Sequence, residues 1–474
     1  MKHPKKVLAF TLLLGAVLFA AYHTYKPLPD GLAYSGQTFP AQDVTFLGDN
    51  TWIDSAGVRQ LDQEVFDSVF DLISGARNLV VLDMFLFNDF QGPQPETHRL
   101  LSSELTSALI KQKAAYPDIQ IVVITDPLNT IYGGLESEYF ESMRKAGIDV
   151  VVTGLASLRD SNPAYSWYWR LFVQPFGNSE RGFLPNPLGQ KGRVSARSYL
   201  ELANFKANHR KTILADTPSG YAGLVTSANP HDGSSAHRNT AIRFTGGAAI
   251  DLLKTENAVL ALSGHSQIAL PSVKIEDTSD IYVQIVTERA IKTSVLSHIE
   301  AAGTGDKLDL MMFYLSESDI IDALIAAKDR GAAIRILLDP NKDAFGHEKD
   351  GVPNRPVADI LDSQGLRVRW ANVKGEQSHT KMLMVTKGTG ESVIIAGSAN
   401  YTRRNLDNLN LETNVVVTGP VRAEVFRDAQ TYFDISWNNT DGRNYSLPYS
   451  AYADDSLFLR LKSEFMESSG ISTF

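Results

Sequence analysis

The chain has no cysteine among its 474 residues. That absence excludes disulfide bonds, thiolate nucleophiles, and zinc or iron–sulfur sites with cysteine ligands. An excess of positive charge is also missing, because 45 Lys and Arg residues stand against 54 Asp and Glu residues and give a net charge of -9. Proteins that mainly bind polyanions usually carry such an excess, since phosphate neutralisation supplies most of their affinity. The composition therefore disfavours nucleic acid as a partner.

The N-terminus combines positive charge with an apolar run. Lys2, Lys5 and Lys6 precede a mainly apolar stretch at 7–21. This order is typical of a secretory signal, but no clear small-x-small cleavage site follows, which favours an uncleaved anchor. The basic flank predicts a cytoplasmic N-terminus and an exported body. We therefore expect a protein of the bacterial inner membrane that faces the periplasm, or a periplasmic or secreted protein if the segment is removed.

The body of the chain repeats one pattern of strands and helices. VLDMFLF at 81–87 resembles DLMMFYL at 309–315, and QIVVITDP at 120–127 resembles AIRILLDP at 333–340. Short apolar strands that alternate with helical patterns predict an α/β fold with parallel sheets covered on both faces. Two copies of one domain would meet about a pseudo-two-fold axis, like a homodimer made covalent. The chain is therefore expected to be a monomer with an internal pseudo-dimer.

The repeat predicts how the chain is divided. Residues 1–30 form the signal or membrane anchor, 31–270 the first domain and 271–474 the second. The first domain contains an insertion at 155–203 that is rich in aromatic side chains. These aromatics either pack the insertion onto the sheet or form a lid or interfacial surface for lipid, since Trp and Tyr favour the membrane–water boundary.

Matching polar motifs occupy the later part of each half. On a strand, residues two apart point to the same side, so the histidine and the lysine of each motif share one face. The motif residues are His209, Lys211, Asp216, Ser227 and Asn229 in the first half, and His379, Lys381, Ser398 and Asn400 in the second. If the halves pair symmetrically, two imidazoles and two ammonium groups converge on one site.

Two histidines and two lysines suit a displacement at phosphorus. One imidazole attacks the phosphorus atom and the other protonates the leaving alcohol. The lysines, with the Ser and Asn side chains of the motifs, bind the non-bridging oxygens of the substrate, whose charge shifts as the bond breaks. Because these cations supply the positive charge, we expect no metal and no cofactor.

This pattern resembles the phospholipase D superfamily, whose hallmark is a duplicated H-x-K-x4-D with a downstream G-S-x-N. The resemblance runs from about residue 45 to residue 437. It implies two fused α-β-α sandwich domains related by pseudo-two-fold symmetry, and a phosphohistidine intermediate. By analogy with members in which the N-terminal histidine attacks, His209 is expected to be the nucleophile and His379 the general acid–base.

The second half departs from the family pattern at one position. Thr386 stands where the second motif would have its aspartate. In the family that aspartate is supportive, so we expect activity to survive its loss, and the matching Asp216 is expected to be supportive too. The paired arginines Arg403 and Arg404, which follow the second motif, could reach a headgroup or an acidic lipid, but exposed loop arginines are usually solvated, and we interpret them so.

The carboxylates near the motifs also differ between the halves. Glu412 resembles the carboxylate that accepts a hydrogen bond from the motif histidine, and we expect it to pair with His379 and fix its tautomer. Asn239 stands opposite Glu412 in the repeat. His209 therefore lacks an obvious carboxylate partner, and either Asp232 or Asn239 would have to substitute.

The resemblance implies an enzyme that acts on phospholipids at a membrane surface. Its reaction ends in hydrolysis, as in a phospholipase D, or in transfer to an alcohol, as in cardiolipin synthases. Two alternatives remain: a nuclease of the same family, and a catalytically inactive, membrane-attached binding protein of the same fold. The acidic net charge disfavours the nuclease, and the intact His and Lys pairs disfavour the inactive protein.

Overall fold

The computed structural model describes residues 4–271, 279–344, 347–472 and 474. Lys2 of the predicted N-terminal segment lies outside the described residues. So does most of the stretch that directly follows the predicted domain boundary at 270/271. The domain boundaries themselves remain predictions.

The strands are short, and most of them belong to two large sheets. Their bounds are β1 Phe39–Pro40, β2 Val44–Ile53, β3 Arg59–Asp62, β4 Leu79–Met84, β5 Gln120–Thr125, β6 Asp149–Val152, β7 Leu184–Pro185, β8 Arg193–Val194, β9 Lys211–Thr217, β10 Gly220–Thr226, β11 Asn239–Thr245, β12 Tyr282–Thr287, β13 Lys307–Met312, β14 Ala333–Leu338, β15 Asp343–Ala344, β16 His347–Glu348, β17 Arg367–Ala371, β18 Lys381–Thr386, β19 Glu391–Gly397, β20 Thr413–Pro420 and β21 Ser446–Pro448.

The helices cover the sheets or lie outside them. Their bounds are α1 Pro4–Tyr25, α2 Val65–Gly75, α3 Leu101–Ala115, α4 Glu138–Lys145, α5 Pro163–Phe172, α6 Ala196–Leu202, α7 Gly247–Leu262, α8 Arg289–Glu300, α9 Ser318–Asp329, α10 Asn354–Ser363, α11 Arg403–Leu406, α12 Glu424–Asn438 and α13 Leu457–Ser469.

The two sheets have the same strand order along their shared part. The first runs β3-β2-β11-β10-β9-β4-β5-β6 and the second β1-β12-β20-β19-β18-β13-β14-β17-β21. Seven consecutive strands of one sheet, from β2 to β6, therefore match seven of the other, from β12 to β17. This correspondence confirms the predicted α/β fold with two repeated domains.

The prediction of parallel sheets was wrong for more than half of each sheet. Only β4, β5 and β6 run parallel in the first sheet, with β13, β14 and β17 in the second. The remaining neighbours are antiparallel, including β9 with β10 and β18 with β19. The reason is local, because a turn as short as 218–219 can join antiparallel strands, whereas parallel strands need a long crossover.

One apolar core lies between the sheets. It contains inward-facing residues of both sheets, such as Val81 and Met311, together with residues of α7 and α12, such as Leu252 and Phe433. Separate cores lie on the outer faces, under α2, α3 and α4 in the first half and under α8, α9 and α10 in the second. This layering fixes the two halves face to face, and it places their motif strands on either side of the shared interface.

The N-terminal helix and the insertion lie together outside these layers. Helix α1 packs against α5 of the insertion. Among the described residues α1 is the one helix that is long and apolar enough to cross a membrane, over Lys5–Tyr25. Within the insertion Trp169 is buried, whereas Phe172, Phe176 and Phe183 are exposed. The aromatics of the insertion thus divide between packing and exposure.

Candidate active site

The histidines of the two motifs line one cavity. Lys211 is the first residue of β9 and Lys381 the first residue of β18, and each motif histidine lies two residues earlier, at the same end of its strand. Both imidazoles border a cavity of about 510 Å³, and Asn229 and Asn400 border it too. The structure therefore brings the two predicted motifs together, as two face-to-face halves would.

Backbone hydrogen bonds between the halves hold each histidine in register. The His209 amide donates to the Leu411 carbonyl at 2.9 Å, and the His379 amide donates to the Arg238 carbonyl at 2.9 Å. In return Leu411 N–H donates to Ala207 at 3.0 Å, and Arg238 N–H donates to Gln377 at 3.0 Å. The chain around His209 thus forms a short parallel β-bridge with Leu411, the residue before Glu412. The chain around His379 forms the matching bridge with Arg238, the residue before Asn239.

The partners of the two imidazoles are exchanged between the halves. His209 Nδ1 lies 2.8 Å from Glu412 Oε1, whereas His379 Nδ1 lies 3.3 Å from Asn239 Oδ1. The predicted pairing of Glu412 with His379 was therefore wrong. Of the two substitutes considered for His209, Asn239 belongs to the other histidine, while Asp232 caps the Ser102 amide. The exchange arises because the bridge from Leu411 carries Glu412 across the interface.

The pKa values of the two imidazoles are both lowered, but a neighbouring carboxylate opposes the shift at only one of them. Burial lowers the pKa of His209 to about 4, with Lys211 adding to the effect and Glu412 opposing it. Burial also lowers the pKa of His379 well below its usual value, and Lys381 and His237 lower it further. The largest contributions at His379 all lower its pKa, and none of them comes from a carboxylate. Burial therefore favours the neutral form of both rings, and Glu412 lies within hydrogen-bond distance of His209 Nδ1.

Glu412 is ionised and held by several donors. Burial alone would raise its pKa, but His209, Lys211 and Ser398 together lower it below the usual value of a glutamate. Ser398 Oγ and Asn405 Nδ2 both donate to this carboxylate. A buried, fully hydrogen-bonded carboxylate of this kind can hold one imidazole tautomer and stabilise positive charge on that ring.

The two motif lysines are buried in matching surroundings. Lys211 Nζ donates to the His209 carbonyl and Lys381 Nζ to the His379 carbonyl, each at 2.7 Å. Each ammonium also lies 4.9 Å from the ring centroid of a phenylalanine, Phe85 for Lys211 and Phe313 for Lys381. Since an ammonium group has three donors, each lysine keeps hydrogens for an anionic ligand.

The lysine pKa values reflect this burial. Burial lowers the pKa of Lys211 to about 7, while Glu412 opposes the shift. Burial lowers the pKa of Lys381 well below its usual value, and the neighbouring Lys211 lowers it further. Two like charges in one buried site repel each other, so an anion placed between them would relieve the repulsion. The arrangement is therefore suited to binding a phosphoryl group.

The predicted substrate-binding Ser and Asn residues occupy different positions. Ser227 Oγ donates to Asn239 Oδ1 at 3.1 Å, and Ser398 Oγ donates to Glu412, so both hydroxyls hold the partner of a histidine. Asn229 accepts the Leu86 amide at 3.2 Å and borders the cavity. Asn400 borders it as well. The asparagines are thus placed to contact a ligand in the cavity, whereas the serines bind Asn239 and Glu412, the partners of the two histidines.

Asp216 lies away from the cavity, at the far end of β9. Its carboxylate accepts the backbone amides of Arg77, Asn78 and Leu79 at 2.8 to 3.2 Å, and so fastens the start of β4. In the second half Asp306, directly before β13, makes a comparable contact by accepting the Gly388 amide at 2.9 Å. The position of Thr386, like that of Asp216, is therefore suited to a supporting residue and not to a reacting one.

Sequence reasoning missed several residues that build the site. Asp126 accepts the Asn208 amide and Asp339 accepts the Ser378 amide, each at 2.7 Å, so both carboxylates hold the residue before a motif histidine. The repeated Asp-Pro at the ends of β5 and β14 was the available signal. Arg404, interpreted as solvated, is instead buried in the cavity wall, where it donates to the Ser472 carbonyl at 2.6 Å.

The cavity walls are mainly apolar. They combine the phenylalanines beside the motifs with side chains from the insertion and from the C-terminal segment. The apolar lining residues are Phe85, Leu86, Phe90, Leu128, Tyr132, Pro187, Leu188, Leu202, Phe205, Phe313, Tyr314 and Phe474. Among the residues that the structure describes, no group of three or more His, Asp or Glu side chains could hold a metal ion. The cavity therefore combines the two motif histidines with a mainly apolar lining surface.

Comparison with known proteins supports the resemblance for the second half of the chain. A family model described as "Cardiolipin synthase, PLD-like domain" matches residues 295–437, which contain the second motif. This part of the chain is therefore similar to a phospholipase D-like domain. A search of curated proteins finds no significant match.

One solved structure extends the likeness in fold to the first half of the chain. Phosphatidylserine synthase from Haemophilus influenzae Rd KW20 is similar over 92% of this chain and 96% of its own length, at a TM-score of 0.54 and 9% identity. The phospholipase D family member Nuc from Salmonella typhimurium covers 33% of this chain and 95% of its own length, at a TM-score of 0.27 and 22% identity. At such low identity the first likeness shows a shared fold over both halves. Family and site together support a role in phosphodiester chemistry.

Proposed function

We propose that this protein is a member of the phospholipase D superfamily that breaks and remakes the headgroup phosphodiester of a membrane phospholipid. The observation that carries the proposal is the chemistry of the cavity and of the side chains next to it. His209 and His379 border the cavity, most of its lining surface is apolar, and Lys211 and Lys381 lie directly behind the two histidines. A phospholipid offers matching groups, because an anionic phosphodiester is joined to apolar acyl chains.

In the first step His209 is the nucleophile. Its Nε2 attacks the phosphorus atom and forms an N–P bond, while the P–O bond to the headgroup alcohol breaks. Glu412 accepts a hydrogen bond of 2.8 Å from His209 Nδ1–H, so the ring keeps its proton on Nδ1 and Nε2 is free to attack. The same carboxylate stabilises the positive charge that the ring gains when the N–P bond forms. Lys211 and Lys381 hold the non-bridging oxygens throughout.

His379 supplies and removes the protons. It gives its Nε2 proton to the leaving alkoxide oxygen, so the headgroup departs as a neutral alcohol. The anionic substrate adds negative charge beside His379 and raises its lowered pKa, so this proton enters the site with the substrate. In the second step neutral His379 takes a proton from water or an acceptor alcohol, whose oxygen attacks phosphorus and breaks the N–P bond.

The choice between water and alcohol determines the product. Water gives phosphatidic acid, as in a phospholipase D, and a lipid alcohol gives a new diester, as in a cardiolipin synthase. Both reactions use the same residues and the same intermediate. We further propose that α1 is a membrane anchor, because it is a long exposed apolar helix with a basic N-terminal flank.

The test is lipid analysis on the full chain in vesicles. Vesicles of phosphatidylethanolamine are incubated with the protein, with and without glycerol as an added acceptor. We expect phosphatidic acid without glycerol and phosphatidylglycerol with it, and neither product from His209→Ala protein prepared in the same way. Unchanged lipids together with cleavage of single-stranded DNA would replace this proposal with the nuclease alternative.

A further inference from the structure

Helix α13, near the C-terminus, has two apolar faces. Leu459 and Met466 pack inward, against the small cluster of Phe313, Tyr314, Val352 and Phe474 beside the cavity. The opposite face is also apolar, but it contacts nothing among the described residues that would bury it. Its members, with their exposed fractions, are Leu457 at 66%, Phe458 at 73%, Leu461 at 56% and Phe465 at 59%. An exposed face of this kind on a folded protein marks an interaction surface.

The spacing of these side chains gathers them on one side of the helix. Leu457, Leu461 and Phe465 are separated by four residues each, which is about one helical turn, and Phe458 lies beside them. Exposed Glu464 borders this face, and exposed Ser468 lies within it in the last turn of the helix. A helix with an apolar face and polar edges can lie in the plane of a membrane interface, with that face buried among the lipids.

Both α13 and the proposed anchor end against the same short stretch, 159–162. The Asp160 amide donates to the His23 carbonyl at 2.9 Å, and Arg159 Nε donates to the Lys26 carbonyl at 2.8 Å, so this stretch holds the end of α1. At the end of α13 Gly470 approaches so closely that a Cβ there would lie 1.7 Å from the Ser161 carbonyl oxygen. The C-terminal end of α13 therefore lies beside the end of α1.

We propose that the exposed face of α13 docks onto the bilayer that α1 enters. This inference rests on the proposed anchor, and it goes beyond the proposed function by giving the body a second membrane contact. Both cations of α13 already have a carboxylate partner within the protein, since Arg460 pairs with Asp359 and Lys462 with Asp350. This neutralisation favours a lipid occupant over an acidic protein partner. The face therefore offers apolar area and no free positive charge.

Docking through α13 would also orient the cavity. Arg404 Nη2 donates to the carbonyls of Gly470 and Ser472, at 3.1 and 2.6 Å, and Arg404 and Phe474 both line the cavity. The segment that ends α13 thus forms part of the cavity wall. The insertion contributes Leu188 and Leu202 to the same wall. Docking through α13 would therefore hold part of the cavity wall beside the bilayer surface.

The absence of native cysteine gives a direct test on the full chain. Single substitutions Leu461→Cys and Phe465→Cys are labelled with a nitroxide, and the protein is placed in vesicles of phosphatidylethanolamine and phosphatidylglycerol. Collision rates with oxygen and with a water-soluble nickel chelate then report the depth of each label. Leu12→Cys in α1 serves as the bilayer control, and Val58→Cys, an exposed apolar position in the turn between β2 and β3, serves as the aqueous control.

The four labels separate the possible results. We expect labels 461 and 465 to favour oxygen over the nickel chelate by about tenfold relative to label 58, in the direction of label 12. Labels 461 and 465 that match label 58, while label 12 is in the bilayer, would overturn the docking of α13 and leave the anchor standing. Label 12 in water would refute the anchor, and this inference with it. Dipolar broadening between labels at 461 would show that a second copy of the chain covers the face, which also overturns the proposal.

Discussion

The two halves of this chain share a scaffold but treat their histidines differently. Each half supplies a histidine, a lysine and a phenylalanine in matching positions, and each holds the other half's histidine with a residue from its own β-bridge. For His209 that residue is the carboxylate of Glu412, and for His379 it is the amide of Asn239. The symmetry of the fold therefore brings these residues together, and under the proposed function the difference between Glu412 and Asn239 gives the two histidines different roles.

The same comparison explains which asymmetries affect chemistry. Asp216 has no counterpart at Thr386, yet both positions lie at the far end of their strands, and Asp306 fastens the second half instead. The exchange of Glu412 for Asn239, by contrast, occurs within hydrogen-bond reach of the imidazoles. We therefore expect a difference between the halves to affect turnover when it contacts a motif histidine, and mainly stability when it does not.

The largest expected effect comes from removing either histidine. On phospholipid vesicles His209→Ala and His379→Ala should each lose about a thousandfold or more in rate, because attack and proton transfer are both required. A soluble diester of p-nitrophenol separates the two roles, since that leaving group needs no proton. His379→Ala should release one equivalent of p-nitrophenol in a burst, and His209→Ala none. The reverse pattern would exchange the roles of the two halves.

A smaller but still large effect is expected at the two partners. Glu412→Gln keeps the size of the side chain but removes the charge that fixes the His209 tautomer, so kcat should fall by at least a hundredfold. Asn239→Ala, which removes only a neutral acceptor 3.3 Å from His379, should cost about tenfold. Steady-state kinetics on the soluble diester, with circular dichroism as a control for folding, measures both. Equal losses would mean that the halves are equivalent.

The pH profile offers a way to make the halves more alike. Asn239→Asp would place a carboxylate beside His379, as Glu412 lies beside His209. An adjacent negative charge raises an imidazole pKa, so His379 should stay protonated to higher pH, and the alkaline limb of the kcat/KM profile should move up by about one to two units. A limb that does not move would show that Asn239 is not in contact with the group that donates the proton.

The smallest effect on activity is expected at the supporting aspartate. Asp216→Asn loses a carboxylate that accepts three backbone amides, so it should lower the free energy of unfolding by about 1–3 kcal/mol while kcat stays within a few fold. Burial opposes ionisation, but these hydrogen bonds lower the pKa of Asp216, so the difference from wild type should be full at pH 7 and shrink as pH falls through the lowered pKa. Thr386→Asp, its matched partner in the second half, should change neither quantity appreciably in urea unfolding and kinetics. A large loss of kcat in Asp216→Asn would contradict a purely supporting role.

Local patterns in the sequence predicted much of this architecture. The repeated apolar strands depend on residues close in the chain, and the structure has them as expected. Each motif lysine begins a strand, but His209 and His379 lie two residues before it, so the shared strand face of each His and Lys stays a prediction. The pairing of His209 with Glu412 could not be predicted in this way, because the two residues are 203 positions apart and meet only across the interface. The repeat suggested a partner within the same half, whereas the β-bridge at Leu411 delivers it to the other.

Arg404 shows the same limit from the opposite direction. In the sequence it is a charged residue after a motif, which normally predicts a solvated loop. In the structure the segment that follows α13 folds over it, and Ser472, 68 residues further on, accepts its hydrogen bond. Burial by a distant segment leaves no local signal, so such residues are found only once the chain is folded.

The location of the covalent phosphoryl group tests the division of labour most directly. His379→Ala protein is mixed with the soluble p-nitrophenyl diester, quenched in alkali to preserve phosphohistidine, and digested for mass spectrometry. The difference between the two halves predicts that the phosphoryl group lies on the peptide that contains His209, and that His209→Ala protein carries none on either histidine. A phosphoryl group on His379 in the His209→Ala protein, or no adduct in either variant, would contradict the assignment of His209 as the nucleophile held by Glu412.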